Sequence, residues 1–217
     1  MSSYVVLGLP GSGKGTLAQF LEQNSDVVQV CSGDLLRAEA KLNPELQNQL
    51  QQGKPIDDSF VTQLVISKLE SIHKSNQRFI LDGFPQTEQQ NNVMNRFFAV
   101  NPDLKVQFII IDVEKETALR RMASRFSCIE CTKIFNTETR PPKEQGKCDD
   151  CKGELKQRAA DVGEVARERV RVYENTTRKI FEYYRKTSGT LVFNGNQSLQ
   201  ESLESYNLMI RTNPAKL

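Results

Sequence analysis

Tyr4-Val5-Val6-Leu7-Gly8-Leu9-Pro10-Gly11-Ser12-Gly13-Lys14-Gly15-Thr16 is the stretch on which the fold turns. Its first four residues are apolar, include two adjacent valines, and stop at glycine. A short continuous apolar run of this kind suits a strand buried on both faces, as in a parallel sheet. The glycines at 8, 11, 13 and 15 let backbone N–H groups turn inward around an anion, and the helix announced by Leu17, Phe20 and Leu21 adds its positive N-terminal end. Lys14 supplies a full charge for β- and γ-phosphates. The strict phosphate-loop pattern places Ser or Thr directly after the lysine. Here Gly15 intervenes before Thr16, which weakens a direct magnesium contact by Thr16 and leaves the phosphate cradle intact.

Outward from this loop the alternation repeats. Strand-like runs fall at 27–30, 79–81, 106–111 and 191–193, with helical patterns between them. Asn43-Pro44 reads as an N-cap with proline in the first turn, and Gly53 as the stop. Thr87 with Gln90, and Ser198 with Glu201, have capping-box spacing. Residues 162–187 read as one long helix, with Val165, Val172 and Ile180 among its apolar positions. The expected fold is therefore α/β, a parallel sheet with flanking helices of the phosphate-loop NTPase kind. A length of 217 residues fits one domain carrying an insertion.

The charge balance, 29 Lys+Arg against 27 Asp+Glu, is too even to point to nucleic acid or an anionic membrane as the bulk partner. No apolar run approaches a membrane span, and no basic segment with a cleavage site precedes one. The expectation is a cytoplasmic chain. With a single histidine, His73, a His-based triad or a His-rich metal site is disfavoured.

Residues 127–157 break the pattern. They are polar, contain Pro141-Pro142, and hold two knuckles, Cys128-Ile129-Glu130-Cys131 and Cys148-Asp149-Asp150-Cys151, sixteen residues apart. Four thiolates at this spacing suit a closed tetrahedral Zn²⁺ site that staples an insertion too poor in apolar residues for a core of its own. Disulfides are the competing reading, disfavoured by the lack of an export signal, and a redox pair would need only one knuckle. Cys31 stands apart, as a small buried residue.

Taken in order, Gly8 through Thr16, Ser32-Gly33-Asp34-Leu35-Leu36-Arg37, Asp82-Gly83-Phe84-Pro85 and the zinc-knuckled insertion resemble the adenylate kinases of the long-lid, zinc-containing bacterial type, over essentially the whole chain. The resemblance implies a core of residues 1–30, 57–126 and 159–217, a small AMP-binding domain at 31–56 and a lid at 127–158. It implies that Gly11, Ser12, Gly13, Lys14, Gly15 and Thr16 bind ATP together with Arg121, Arg125, Ile134, Phe135 and Gln197. AMP would meet Ser32, Arg37, Lys54, Pro55, Ile56, Gly83, Phe84, Pro85, Gln86, Gln90, Arg158 and Arg169. Lys14, Arg37, Arg121, Arg125, Arg158 and Arg169 would carry the transfer, with Arg158 and Arg169 nearest the moving phosphoryl group. Asp82 would hold Mg²⁺ through water, and the four cysteines structural zinc. The partners implied are ATP and AMP or ADP, with no nucleic acid and no membrane, in a monomer.

Physical chemistry agrees with that implication. Phosphoryl transfer between nucleotides gathers several negative charges, so positioning and charge neutralisation dominate. Guanidinium forks suit phosphate oxygens, and an acceptor phosphate already ionised near neutral pH needs no general base. Arg121 and Arg125, four apart, are expected on one face of the helix entering the lid.

Two positions depart from the family pattern. Gln86 stands where the motif carries arginine after Asp-Gly-Phe-Pro, and Ala160 replaces the first of two adjacent aspartates before Val162. The first predicts weaker AMP binding or slower transfer, and the second puts lid closure in question. A sister monophosphate kinase with another acceptor preference, a nucleotide-binding protein that has lost transfer, and a zinc-ribbon nucleic-acid binder are the other readings. The last is weakest, because the insertion has one aromatic residue, Phe135, and its basic residues are interleaved with acidic ones.

Overall fold

The computed structural model describes residues 2–52 and 56–212. The chain runs β1 (Ser3–Gly8), α1 (Lys14–Asn24), β2 (Val27–Cys31), α2 (Ser32–Ala40), α3 (Pro44–Gln51), α4 (Asp58–Lys74), β3 (Arg78–Asp82), α5 (Glu88–Val100), β4 (Val106–Asp112) and α6 (Lys115–Ala123). It continues through β5 (Arg125–Cys128), β6 (Ile134–Asn136), β7 (Leu155–Lys156), a 3-10 turn (Ala159–Asp161), α7 (Gly163–Asn175), α8 (Thr177–Arg185), β8 (Leu191–Asn194) and α9 (Leu199–Thr212).

Five strands form a parallel sheet in the order β2-β3-β1-β4-β8. Alternation along β1 divides the core between the two faces. Val5 and Leu7 join Leu69, Phe79, Met94, Val170 and Phe181 on one side; Tyr4 and Val6 join Leu17, Leu21, Ile109 and Tyr206 on the other. The continuous apolar runs expected to be parallel strands are parallel strands, and the phosphate loop lies where β1 ends and α1 begins.

The insertion is a separate three-stranded antiparallel sheet, β6-β5-β7. Its buried cluster is Cys128, Phe135, Cys148 and Leu155, with Phe126 packed against it. Two of those four are knuckle cysteines, so the small sheet is assembled around sulfur.

The cap readings fare unevenly. Asn43 Oδ1 accepts from Glu45 N and Leu46 N, with Pro44 at the helix start. Ser198 and Glu201 make a full reciprocal box. Thr87 caps α5 by accepting from Gln90 N, yet the Gln90 side chain is directed elsewhere. Gly53 lies outside the described residues.

Two readings are corrected. Residues 162–187 are not one helix: the chain breaks at Thr176, whose φ of −117° and ψ of −61° leave the helical path between α7 and α8. Thr176 Oγ1 accordingly bonds back to the Val172 carbonyl at 2.8 Å. Val165 and Val172 are exposed, and only Ile180 of the three apolar positions is buried. Arg121 and Arg125 do not share a helix face either. α6 ends at Ala123, and Arg125 opens β5 because Ser124 and Asn136 lock the start of the antiparallel pair, Asn136 Nδ2 donating to Ser124 Oγ at 2.9 Å.

Candidate active site

Gly13, at φ +107°, turns the loop into α1, a backbone conformation that L side chains rarely adopt. Lys14 follows as the first helical residue. Its Nζ donates to the carbonyls of Gly8 and Leu9, both at 2.8 Å, so the ammonium is held inside the loop. Burial pulls its pKa down to about 8, against an upward pull from Asp82 and with further lowering by Arg125 and Arg169. Asp82, at the end of β3, is pushed upward by burial, opposed by Lys14.

The structure accounts for Gly15. A Cβ there would lie 2.8 Å from Ile134 Cδ1 of the antiparallel sheet and 3.5 Å from Asp82 Oδ2. A side chain at 15 would require the Ile134 terminal methyl to move aside, and the same geometry shows that the Asp82 carboxylate faces the loop. Ile134 and Phe135 alternate along β6. Ile134 reaches the loop, while Phe135, 1% exposed, packs inside the small sheet, so its side chain is not brought to the cradle. Arg121 closes another side: its guanidinium donates to the carbonyls of Gly195 (2.6 Å), Gln197 (2.8 Å) and Ser12 (3.4 Å).

Arginines gather beside the cradle around one carboxylate. Arg125 donates to Asp161 through Nε (2.8 Å) and Nη2 (2.7 Å), and Arg169 Nη1 reaches the same group at 2.6 Å. Burial alone would raise the Asp161 pKa, but the bond and charge of Arg125, with Arg169 and Arg158, outweigh it and hold the group below the usual carboxylate range. Ala160 contributes what any residue can, its carbonyl, which accepts from Arg169 at 3.0 Å. Among the described residues the Arg158 guanidinium makes no hydrogen bond or ion pair, and only its carbonyl is engaged, by the Asp161 N–H at 2.9 Å. Burial, then Arg37 and Arg125, press its pKa down to about 10. Arg37 pairs with Asp34 and lies over Gly33.

A second wall is the turn after β3, where the bonds onto Gly83 and the Gln86 backbone are neutral. Gly83 O accepts from Ser32 Oγ at 2.7 Å and from Gln86 Nε2 at 2.6 Å. The Gln86 backbone is fixed at both ends, its N–H on Gln90 Oε1 and its carbonyl on Thr177 Oγ1, each at 2.8 Å. Phe84 and Gln90 are buried, and Ile56 is half-buried. Lys54 and Pro55 lie outside the described residues.

The four patterned cysteines carry no disulfide. Their sulfurs all lie within 4.8 Å of one another, with Cys128–Cys151 and Cys131–Cys151 at 3.4 Å and Cys131–Cys148 at 3.5 Å. Tetrahedral Zn–S bonds of about 2.3 Å set sulfurs roughly 3.8 Å apart, so the cluster is compatible with zinc. Gly153 is required beside it, since a Cβ there would stand 2.9 Å from Cys128 Sγ. Lys133, two residues past the first knuckle, forms an ion pair with Asp150 inside the second.

The family model for adenylate kinase matches residues 6–189. The chain belongs to the adenylate kinase family. It is similar to the adenylate kinase of Syntrophomonas wolfei subsp. wolfei, 33% identical over 93% of this chain and 98% of that protein. The Pyrococcus abyssi adenylate kinase is 34% identical over 92% and 91%, and that of Thermosipho africanus 36% over 88% and 91%. Among the described residues, no helix is long and apolar enough to cross a membrane.

Within this adenylate kinase frame, three carboxylates outside the candidate set prove central to the geometry. Asp161 anchors two arginines, Asp34 holds Arg37, and Asp58 on α4 holds the Gln90 amide. Asp34 sits inside the quoted motif and Asp161 beside the absent aspartate, so both had a local signal. Asp58 had none, since its partners lie 29 and 32 residues away.

Proposed function

We propose that this chain moves the terminal phosphoryl group of ATP to AMP, giving two ADP, through the cation cluster on Asp161. The observation that carries this is the convergence of Lys14, Arg125, Arg158 and Arg169 on one centre, with the Arg158 guanidinium free of any hydrogen bond or ion pair among the described residues. Such an excess of aimed positive charge beside a phosphate loop suits a transition state that spreads charge over phosphoryl oxygens.

In this reading residues 11–16 cradle the ATP phosphates. Arg121, Gln197, Ile134 and the Phe135 backbone border the rest of ATP. Ser32, Arg37, residues 54–56 and 83–86, and Gln90 border AMP. The AMP phosphate is already ionised, so no side chain need remove a proton. Arg125, Arg158 and Arg169 hold donor and acceptor oxygens close together. Asp82, whose carboxylate faces the loop, would hold Mg²⁺ through water, and the ion would supply further charge neutralisation at the ATP phosphates. In this reading residues 127–158 are a lid over a core of 1–30, 57–126 and 159–217, a division supported by Ile134 lying against Gly15, and a closed lid would keep water from intercepting the phosphoryl group. Zinc on Cys128, Cys131, Cys148 and Cys151 would staple that lid, and the reduced thiolates it needs suit a cytoplasmic monomer.

A second reading is favoured by Gln86, an uncharged side chain turned onto the Gly83 carbonyl: a monophosphate kinase of altered acceptor preference. Purified protein is offered Mg·ATP with AMP, CMP, UMP or GMP, and diphosphate formation is measured. Fastest turnover with AMP is the expected result. Faster turnover with another acceptor would move the assignment, and none with any acceptor would overturn it.

A further inference from the structure

We infer that Asp58 sets acceptor-base specificity by locking the side-chain amide of Gln90 in one of its two orientations. This rests on the reading of Gln90 as a residue of the acceptor-base pocket. An amide can present its C=O and NH₂ either way round, and the two presentations suit opposite base edges. Here the choice is forced. Gln90 Nε2 donates to Asp58 Oδ1 at 2.9 Å, and Gln90 Oε1 accepts from the Gln86 N–H at 2.8 Å. A carboxylate can only accept and a backbone N–H can only donate, so neither partner tolerates a flipped amide. A flip would set carbonyl against carboxylate and NH₂ against N–H, losing both bonds. Gln90 is 3% exposed, so water cannot replace them.

Asp58 is itself held. Its second oxygen accepts from Thr87 Oγ1 at 2.6 Å, while the same hydroxyl accepts from Gln90 N at 3.2 Å. The start of α4 therefore fixes the start of α5, and with it the direction of the Gln90 amide.

The locked amide has one N–H and one lone pair left, in a fixed order. A base that sets an exocyclic amino group beside a ring-nitrogen acceptor, as adenine and cytosine do, can meet that edge donor to acceptor. Guanine and uracil carry a keto oxygen beside a ring N–H and meet it like to like. Sites built to hydrogen-bond one arrangement reject the other strongly, because buried groups are left unpaired. Among purine monophosphates the lock therefore selects the 6-amino base.

Asp58→Asn tests this, since an asparagine amide can pair with Gln90 in either orientation and a flip would then forfeit only the Gln86 N–H bond instead of both. Diphosphate formation is measured with AMP and GMP for the wild type, Asp58→Asn and Gln90→Ala, alongside thermal melting. The expected result is an AMP-to-GMP ratio of kcat/KM that falls by about 10-fold in Asp58→Asn, as loss of one well-placed hydrogen bond implies. A merely structural role would lower both acceptors by one factor and leave the ratio alone. An unchanged ratio in Asp58→Asn, with KM for AMP raised in Gln90→Ala, overturns the lock and leaves the pocket reading standing. Acceptor kinetics untouched by Gln90→Ala would remove the pocket reading itself. If Asp58→Asn does not fold, Asp58→Ser, which keeps a small polar residue in the first turn of α4, carries the same comparison.

Discussion

The two walls of the site are built from different chemistry. On one, Lys14, Arg125, Arg158 and Arg169 crowd around the buried Asp161 and Asp82, and burial lowers the pKa of three of the cations. On the other, Ser32, Gln86, Gln90 and Thr177 settle the turn at Gly83 through neutral hydrogen bonds. The first wall stores charge that only an anion can relieve. The second stores orientation. Rate should accordingly depend on the first wall, and choice of acceptor on the second.

That division can be broken in several ways. Lys14→Met removes the cation inside the loop and should lower kcat by about 10³-fold, as loss of an aimed electrostatic donor does, with the fold intact by circular dichroism. A fall of only a few-fold would mean that the arginines suffice. Asp161→Asn leaves Arg125 and Arg169 without their shared carboxylate, and unpairing a buried ion pair costs about 3–5 kcal/mol. Denaturant unfolding should show that loss, together with slower turnover. Stripping the cysteine cluster with a chelator should melt the β5–β7 sheet and raise its hydrogen exchange while the five-stranded sheet stays protected, because the small cluster has little apolar surface of its own. Equal loss in both sheets would contradict a separately stapled lid.

The smallest effect is on pH. The free enzyme's Lys14, near 8 against a usual 10.5, sheds its proton above about pH 8, so kcat/KM for ATP should decline there. Bound phosphate restores the charged form, and kcat should hold to higher pH. The same depression makes the folded state shed this proton before the unfolded chain does, so this group's contribution to stability rises with pH between 8 and 10.5. Identical limbs in kcat and kcat/KM would remove Lys14 from the cation wall.

How much of this could be read beforehand depended on how local the signal was. The parallel strands and the phosphate loop were legible because each is a contiguous run with its own composition. So was the cysteine quartet, through its spacing. The break at Thr176 was not, since Thr176-Thr177 keeps helical spacing and the departure is tied to Thr177 reaching Gln86, 91 residues away. Arg125 was misplaced for a related reason. A four-residue spacing suits a helix face, but pairing of Arg125 with Asn136 draws the chain into a strand. At Ala160, which lacks a carboxylate, Arg169 is held by the Ala160 carbonyl and by Asp161. Asp58 was invisible because its meaning lies wholly in contacts with another helix.

The comparison of Gln86→Arg with the wild type, reading KM for AMP and for ATP separately, tests the division between the walls most directly. Gln86 is exposed, and its amide now rests on the Gly83 carbonyl. A guanidinium there adds charge to the wall that works by orientation, and charge-assisted bonds are roughly twice as strong as neutral ones. The account predicts that KM for AMP falls several-fold while KM for ATP stays where it was. An unchanged KM for AMP, or a parallel shift in both, would contradict it.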